Sequence, residues 1–189
     1  MKKTLLAASF ASLVAGTAFA APQTYVIDST HTFPRFSYEH MGLSKQILRF
    51  NKTTGEVVFD KDAQTGRVEV TIDMKSIDTG VEAFDGHIQG ADFLDTGTHP
   101  TATFKSSSVK FEGGKPVSID GELTIKGVTK PLTLTITSFV NKPHPMLKKD
   151  AIGANATAVI KRSEFNAGKF VPAVGDEVTL DIALEAVLK

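Results

Sequence analysis

Cysteine occurs nowhere in the 189 residues, and neither does tryptophan. The first absence excludes disulfides, thiolate catalysis, cysteine-based metal sites and the lipid-bearing cysteine of a lipoprotein. No charge of one sign dominates, since 21 Lys and Arg face 21 Asp and Glu, whereas a nucleic-acid-binding domain normally shows a clear basic excess. The longest apolar stretch, Thr4 to Phe19, falls short of the ~20 residues a membrane-spanning helix needs. There is no G-x-G-x-x-G opening a helix, no G-x-x-x-x-G-K-[ST] and no G-x-S-x-G. Dinucleotide, phosphate-loop and serine-hydrolase chemistry therefore have no motif to rest on.

The N-terminus carries an address. Lys2 and Lys3 precede the short apolar stretch, and Ala18-Phe19-Ala20 is an A-x-A cleavage pattern. Residues 1–20 thus form the expected signal peptide, with Ala21 as the mature N-terminus. Export to the periplasm follows as an expectation, and a secreted or surface-associated destination is compatible with it. Residues 21–189 suit a single domain with a substantial core. Nothing in them sets the oligomeric state, and a dimer is compatible with the sequence.

What is present is alternation. In Ile119–Thr137, Ile119, Gly121, Leu123 and Ile125 alternate with polar residues, and Leu132, Leu134 and Ile136 do so again. Period two means strands with one apolar and one wet wall. Gly127 and Pro131 bracket the expected connection of an antiparallel hairpin. Similar runs start at Tyr25, Phe36, Gln46, Gly55, Arg67, Thr101, Ala151 and Glu177, and Pro34 places the second of these at an edge or bulge. Period two is lost over Val81–Asp95. There Phe84 and Ile88, four apart, predict a short helix over Val81–Gln89, weakened by Gly86. The fold class is all-β: a single antiparallel lipocalin-like barrel of about eight strands with a short helix in one connection, with a sandwich as the alternative.

Five histidines, His31, His40, His87, His99 and His144, show no metal-ligand spacing, so no metal site is expected and hydrogen-bonded turn or rim roles are. Asp85-x-His87 has the form of a carboxylate-oriented base but lacks a nucleophile, so no catalytic residue and no enzyme activity are assigned. Thirteen phenylalanines without tryptophan suit a smooth hydrocarbon-lined cavity of the kind a lipid tail requires. Simple core packing of the same residues is the alternative.

Four ordered motifs resemble the YceI-like family: His31–Gly42 (HTFPRFSYEHMG), Val70–Gly80 (VTIDMKSIDTG), Asp85–Asp95 (DGHIQGADFLD) followed by His99-Pro100, and Gly121–Pro131 (GELTIKGVTKP). The family's D-x-H-L-x-S-x-D-F pattern falls on Asp85, His87, Ile88, Gly90, Asp92 and Phe93. This chain departs from the family at Ile88, Gly90, His99 and Pro34. The resemblance implies a periplasmic lipocalin-like barrel that sequesters or carries a polyisoprenoid, such as a ubiquinone-like polyprenyl quinone, with no catalytic cofactor. Residues expected to line the lumen are Phe36, Tyr38, His40, Val70, Ile72, Phe84, Ile88, Phe93, Phe104, Leu123, Ile125, Leu132, Leu134, Phe165, Leu180 and Ile182, with Asp85, His87 and Asp92 as structural or rim residues. A surface or stress-related interaction module with a filled core is the alternative function. Two loops that join apolar residues to lysines, Pro143–Lys149 and Phe165–Pro172, are read either as a portal in transient contact with a membrane or as caps on the barrel.

Overall fold

The computed structural model describes residues 21–189, so the expected signal peptide lies outside the described residues. The strands are β1 (Gln23–Ile27), β2 (Phe33–His40), β3 (Ser44–Phe50), β4 (Thr53–Asp60), β5 (Thr65–Asp73), β6 (Ile77–Asp78), β7 (Thr101–Glu112), β8 (Lys115–Ile125), β9 (Val128–Pro143), β10 (Asp150–Lys161) and β11 (Glu177–Leu188). One helix, α1 (Glu82–Gln89), lies between β6 and β7. Single 3-10 turns occupy Met74–Ser76 and Arg162–Phe165.

Antiparallel pairing runs β1-β4-β5-β7-β8-β9-β10-β11 and returns from β11 to β1, which closes an eight-stranded barrel and removes its free edges. Hairpin β2–β3 completes the wall at the end nearer α1. There β2 pairs with β11 along Ala183–Thr179, and β3 reaches β6 through Phe50 and Ile77. Strand β11 thus changes partner along its length, from β2 to β1, whose pairing covers Ala186–Leu188.

Thr32 makes that exchange possible. Its side chain is 1% exposed. The hydroxyl donates to the Glu185 carbonyl (3.1 Å) and accepts from the Glu185 N–H (3.0 Å), so it stands in for backbone where neither neighbouring strand pairs. The chain enters this point through a tight turn in which Asp28 accepts from the Thr30 N–H (2.9 Å) and hydroxyl (2.6 Å) and pairs with His31 (2.8 Å). The Thr30 hydroxyl holds the Asp28 carboxyl down to about 2, and the Asp28 contact pushes the His31 imidazole up. Thr32→Val is expected to orphan the Glu185 N–H and to cost about 1–3 kcal/mol, whereas Thr32→Ser should cost less than half of that. Equal denaturation midpoints for the two variants would refute this role.

Alternation places the strands' apolar faces inward, and the details differ from the sequence reading at two prolines. The β8–β9 connection is only Lys126–Gly127, both left-handed (φ 51° and 74°), a turn whose twist matches its flanking strands. Pro131 therefore lies inside β9, opposite Glu122. It is tolerated there because β10 pairs with β9 only from Thr135 onward. Pro34 is likewise within β2, opposite Ile182, where β3 has not yet begun to pair. β2 is not an edge strand.

The end opposite α1 is closed by Tyr25, 1% exposed, whose hydroxyl donates to Asp150 (2.7 Å). Asn141 donates to the same carboxylate (2.7 Å). Burial pushes the Tyr25 phenol up to about 12.

Candidate functional site

Two cavities stand in line inside the barrel. The first, of about 170 Å³, is walled by inward residues of the strands, among them Val57, Phe59, Val68, Val70, Ile72, Phe104, Phe111, Ile119, Leu123, Leu132, Leu134, Phe139, Ile152, Ile182 and Leu184. The second, of about 260 Å³, lies under α1 and the β10–β11 connection and is walled by Tyr38, His40, Met41, Phe84, His87, Ile88, Phe93, Leu94, Ile160, Arg162, Phe165, Ala167, Phe170, Val174 and Val178. Phe36, Phe50, Met74, Ile125 and Leu180 border both and form a neck. Neither chamber alone reaches the ~300 Å³ usual for a small-ligand site, and the two volumes taken together exceed it.

Local sequence explains each wall. On β8, Ile119, Leu123 and Ile125, and on β9, Leu132, Leu134 and Ile136, each set at period two, share the inward face. Helix α1 turns Phe84 and Ile88 to the same side, one turn apart. His87 joins them with its ring against Phe93 (centroids 4.9 Å apart) and Phe84 (6.1 Å), and Phe93 meets Phe170 (6.1 Å). The result is an aromatic ceiling over the helix chamber.

The β9–β10 ladder ends at Thr135 and Thr157, so Val128–Leu134 and Ala158–Lys161 are not paired with each other. Phe165, 2% exposed, joins Phe104 and Leu123 in a buried cluster against which Leu132, Leu134 and Ile160 pack, and its 3-10 turn contacts β9 beside that slit. The loop behind it is held by Arg162. Its Nε donates to the Gly175 carbonyl (2.8 Å), its Nη1 to those of Ala167 and Lys169 (2.9 Å to the latter), and its Nη2 to that of Val174 (2.7 Å). Burial lowers the guanidinium's proton affinity, although an arginine stays charged.

All sixteen residues expected on the lumen wall border one chamber or both. The rim residues divide. His87 borders the helix chamber, Asp85 accepts from the Thr79 N–H (2.7 Å) and fixes the turn before α1, and exposed Asp92 pairs with Lys169 (3.6 Å). Asp85 does not orient His87. His144 accepts from the N–H groups of Met146 and Leu147 and shapes its own loop. Asp28, His31 and Glu185 bring three ligating atoms within 4.8 Å of one another at the surface, a grouping that serves the Asp28 turn.

The two lysine-bearing loops lie at opposite ends, because the twelve-residue β10 separates them by roughly 35 Å. Only Phe165–Pro172 contributes to a chamber wall, and Pro143–Lys149 borders neither.

Sequence reasoning passed over Phe50, Met74, Ile160, Arg162, Val174 and Val178. Phe50, Ile160 and Val178 lie in runs with strand patterning and could have been counted. Met74, Arg162 and Val174 lie outside the strands, where no periodicity reports direction.

The sequence profile of the YceI-like domain matches residues 25–186. Protein YceI of Escherichia coli O157:H7 is 39% identical, covering 99% of this chain and 98% of its own. Protein YceI of Salmonella agona is 38% identical over the same shares. Among solved structures, Burkholderia cenocepacia BcnA superposes with a TM-score of 0.70 at 29% identity, over 85% of this chain and 99% of its own. A polyisoprenoid binding domain from Saccharophagus degradans, implicated in plant cell wall breakdown, has the same fold (TM-score 0.67, 16% identity, 88% and 99% covered).

Proposed function

The chain belongs to the YceI-like domain family, and from that premise we propose that it is a non-catalytic binding protein that sequesters or carries a polyisoprenoid lipid, of the polyprenyl quinone kind, in its barrel. The observation that carries this reading is the pair of apolar chambers that meet at Phe36, Phe50, Met74, Ile125 and Leu180. A long, narrow, hydrocarbon-walled space suits a flexible branched tail. At ~0.8 kcal/mol per buried methylene, a dozen tail carbons contribute roughly 10 kcal/mol before the costs of association. The polyisoprenoid-binding description of the Saccharophagus degradans neighbour supports the same class of ligand. A filled-core interaction module would instead require close packing, and voids of 170 and 260 Å³ far exceed the gaps of an ordinary core. Lys2, Lys3 and the Ala18-Phe19-Ala20 step support work in the periplasm.

Organic extraction of protein purified from its native host, followed by mass spectrometry, tests the proposal. A stoichiometric prenyl lipid is expected, and an extract free of lipid would sink it. The neck makes a sharper demand. Leu180→Trp should bar the tail from the barrel chamber, so affinity for prenyl alcohols of increasing length should stop rising at the neck. Excluding one five-carbon unit costs roughly 3–4 kcal/mol, over a hundredfold in Kd. A wild-type length dependence in the variant would place the tail elsewhere.

A further inference from the structure

The two chambers differ in one respect that bears on the ligand's head. The barrel chamber offers a tail nothing polar to meet: the Thr53 hydroxyl on its wall is shut off from open space and has no partner. The helix chamber contains Tyr38, 92% buried on the 8% exposure of its residue, and its hydroxyl takes part in no hydrogen bond among the described residues. Burial pushes that phenol up, so it stays protonated and able to donate. The same wall holds Arg162, whose five N–H groups are committed to four carbonyl contacts, leaving one on Nη2. Unlike Thr53, the Tyr38 hydroxyl is not sealed off, so a ligand oxygen entering the chamber can accept from it without displacing a bond within the fold.

We propose that the helix chamber is the head-group site, where the Tyr38 hydroxyl and the remaining Nη2–H of Arg162 donate to an uncharged acceptor oxygen on the lipid head, such as a ring carbonyl, and where a phosphorylated head is rejected. The polarity of the ligand follows: head under α1, tail through the neck into the barrel. Rejection of phosphate has a physical cause. A phosphate brings close to two negative charges into an apolar chamber. On the chamber wall it would meet one guanidinium already ringed by the carbonyls of Gly175, Ala167, Lys169 and Val174, and those oxygens repel it, while the nearby Lys169 ammonium is paired with Asp92. A carbonyl needs only the two donors. His40 and His87 border the chamber too. The near-parallel stack of His87 on Phe84 supplies a flat aromatic surface for a planar head, with Phe93 tilted against it.

This assignment rests on the isoprenoid-binding reading, and the test separates the two. Delipidated full-length mature protein and its Tyr38→Phe variant are titrated with three probes of equal tail length: a prenylated benzoquinone, the hydrocarbon without a head, and the prenyl monophosphate. Tyr38→Phe removes only an oxygen that has no partner in the fold, so the melting temperature should hold or rise. The wild type should bind the quinone about tenfold tighter than the hydrocarbon, and the phosphate most weakly. The variant should lose that tenfold preference while its hydrocarbon affinity stays within twofold. A quinone affinity unchanged by Tyr38→Phe, or a wild type that prefers the phosphate, overturns the head-group site and leaves isoprenoid binding standing. A wild type that binds neither quinone nor hydrocarbon overturns both.

Discussion

Gly55→Ala is expected to destabilise the barrel by about 4 kcal/mol or more and to leave little folded protein at temperatures the wild type tolerates. Gly55 sits in β4 opposite Val70 with φ at 146°, a backbone region that side chains rarely adopt. That strain alone costs about 1–3 kcal/mol. A Cβ built there would also lie 2.0 Å from the Glu69 carbonyl oxygen and 3.0 Å from the Val70 Cα. Both are backbone atoms of the paired strand, so relief requires β4 and β5 to separate where they form the barrel wall. Gly42→Ala is the matched control: φ is 66° and nothing lies within 4 Å of the new carbon, so it should cost only about 1 kcal/mol. Denaturant midpoints at constant m-value separate the two. Similar losses for both would mean that backbone conformation, and not strand contact, governs Gly55.

Phe165→Ala should cost about 3–4 kcal/mol and should also open the barrel sideways. The ring is 2% exposed, borders the helix chamber and belongs to the turn that contacts β9 beside the unpaired stretch of β9 and β10, so its removal combines lost burial with a void against that chamber. With the slit opened, dissociation of a bound prenyl lipid should accelerate by at least tenfold when compared with a variant of equal stability altered far from the chambers. Phe170→Ser, at a side chain 53% exposed in the same loop, should change stability by under ~0.5 kcal/mol. A normal dissociation rate in Phe165→Ala would show that lipid travels by another route.

Much of the fold was legible because alternation is a local signal. The runs beginning at Arg67, Ile119 and Glu177 identify strands and their inward faces without knowledge of which strands pair. Helix α1 showed itself through the spacing of Phe84 and Ile88 and through the loss of period two around them. The connection after Ile125 was read too long, because Pro131 looked like a strand breaker; its tolerance depends on β10 stopping short, a non-local fact. Only one of the two lysine-bearing loops borders a chamber, and the reason is related. Composition shows that Met146 and Phe170 are apolar, but only the course of β10 shows that they stand at opposite ends.

By itself the sequence determined the all-β class and the side of each strand that faces inward, since a side chain's direction follows from its parity along the strand. It could not determine whether those faces meet in a solid core or enclose a space, since both arrangements need the same apolar residues. The tertiary structure decided that: the return of β11 to β1, its exchange of partners at Glu185, and the neck between the chambers. It also decided that Tyr38, on the same face as Phe36, turns a free hydroxyl toward a chamber shared with Arg162. Such convergence depends on contacts between residues more than a hundred positions apart, and no periodicity within one segment encodes it.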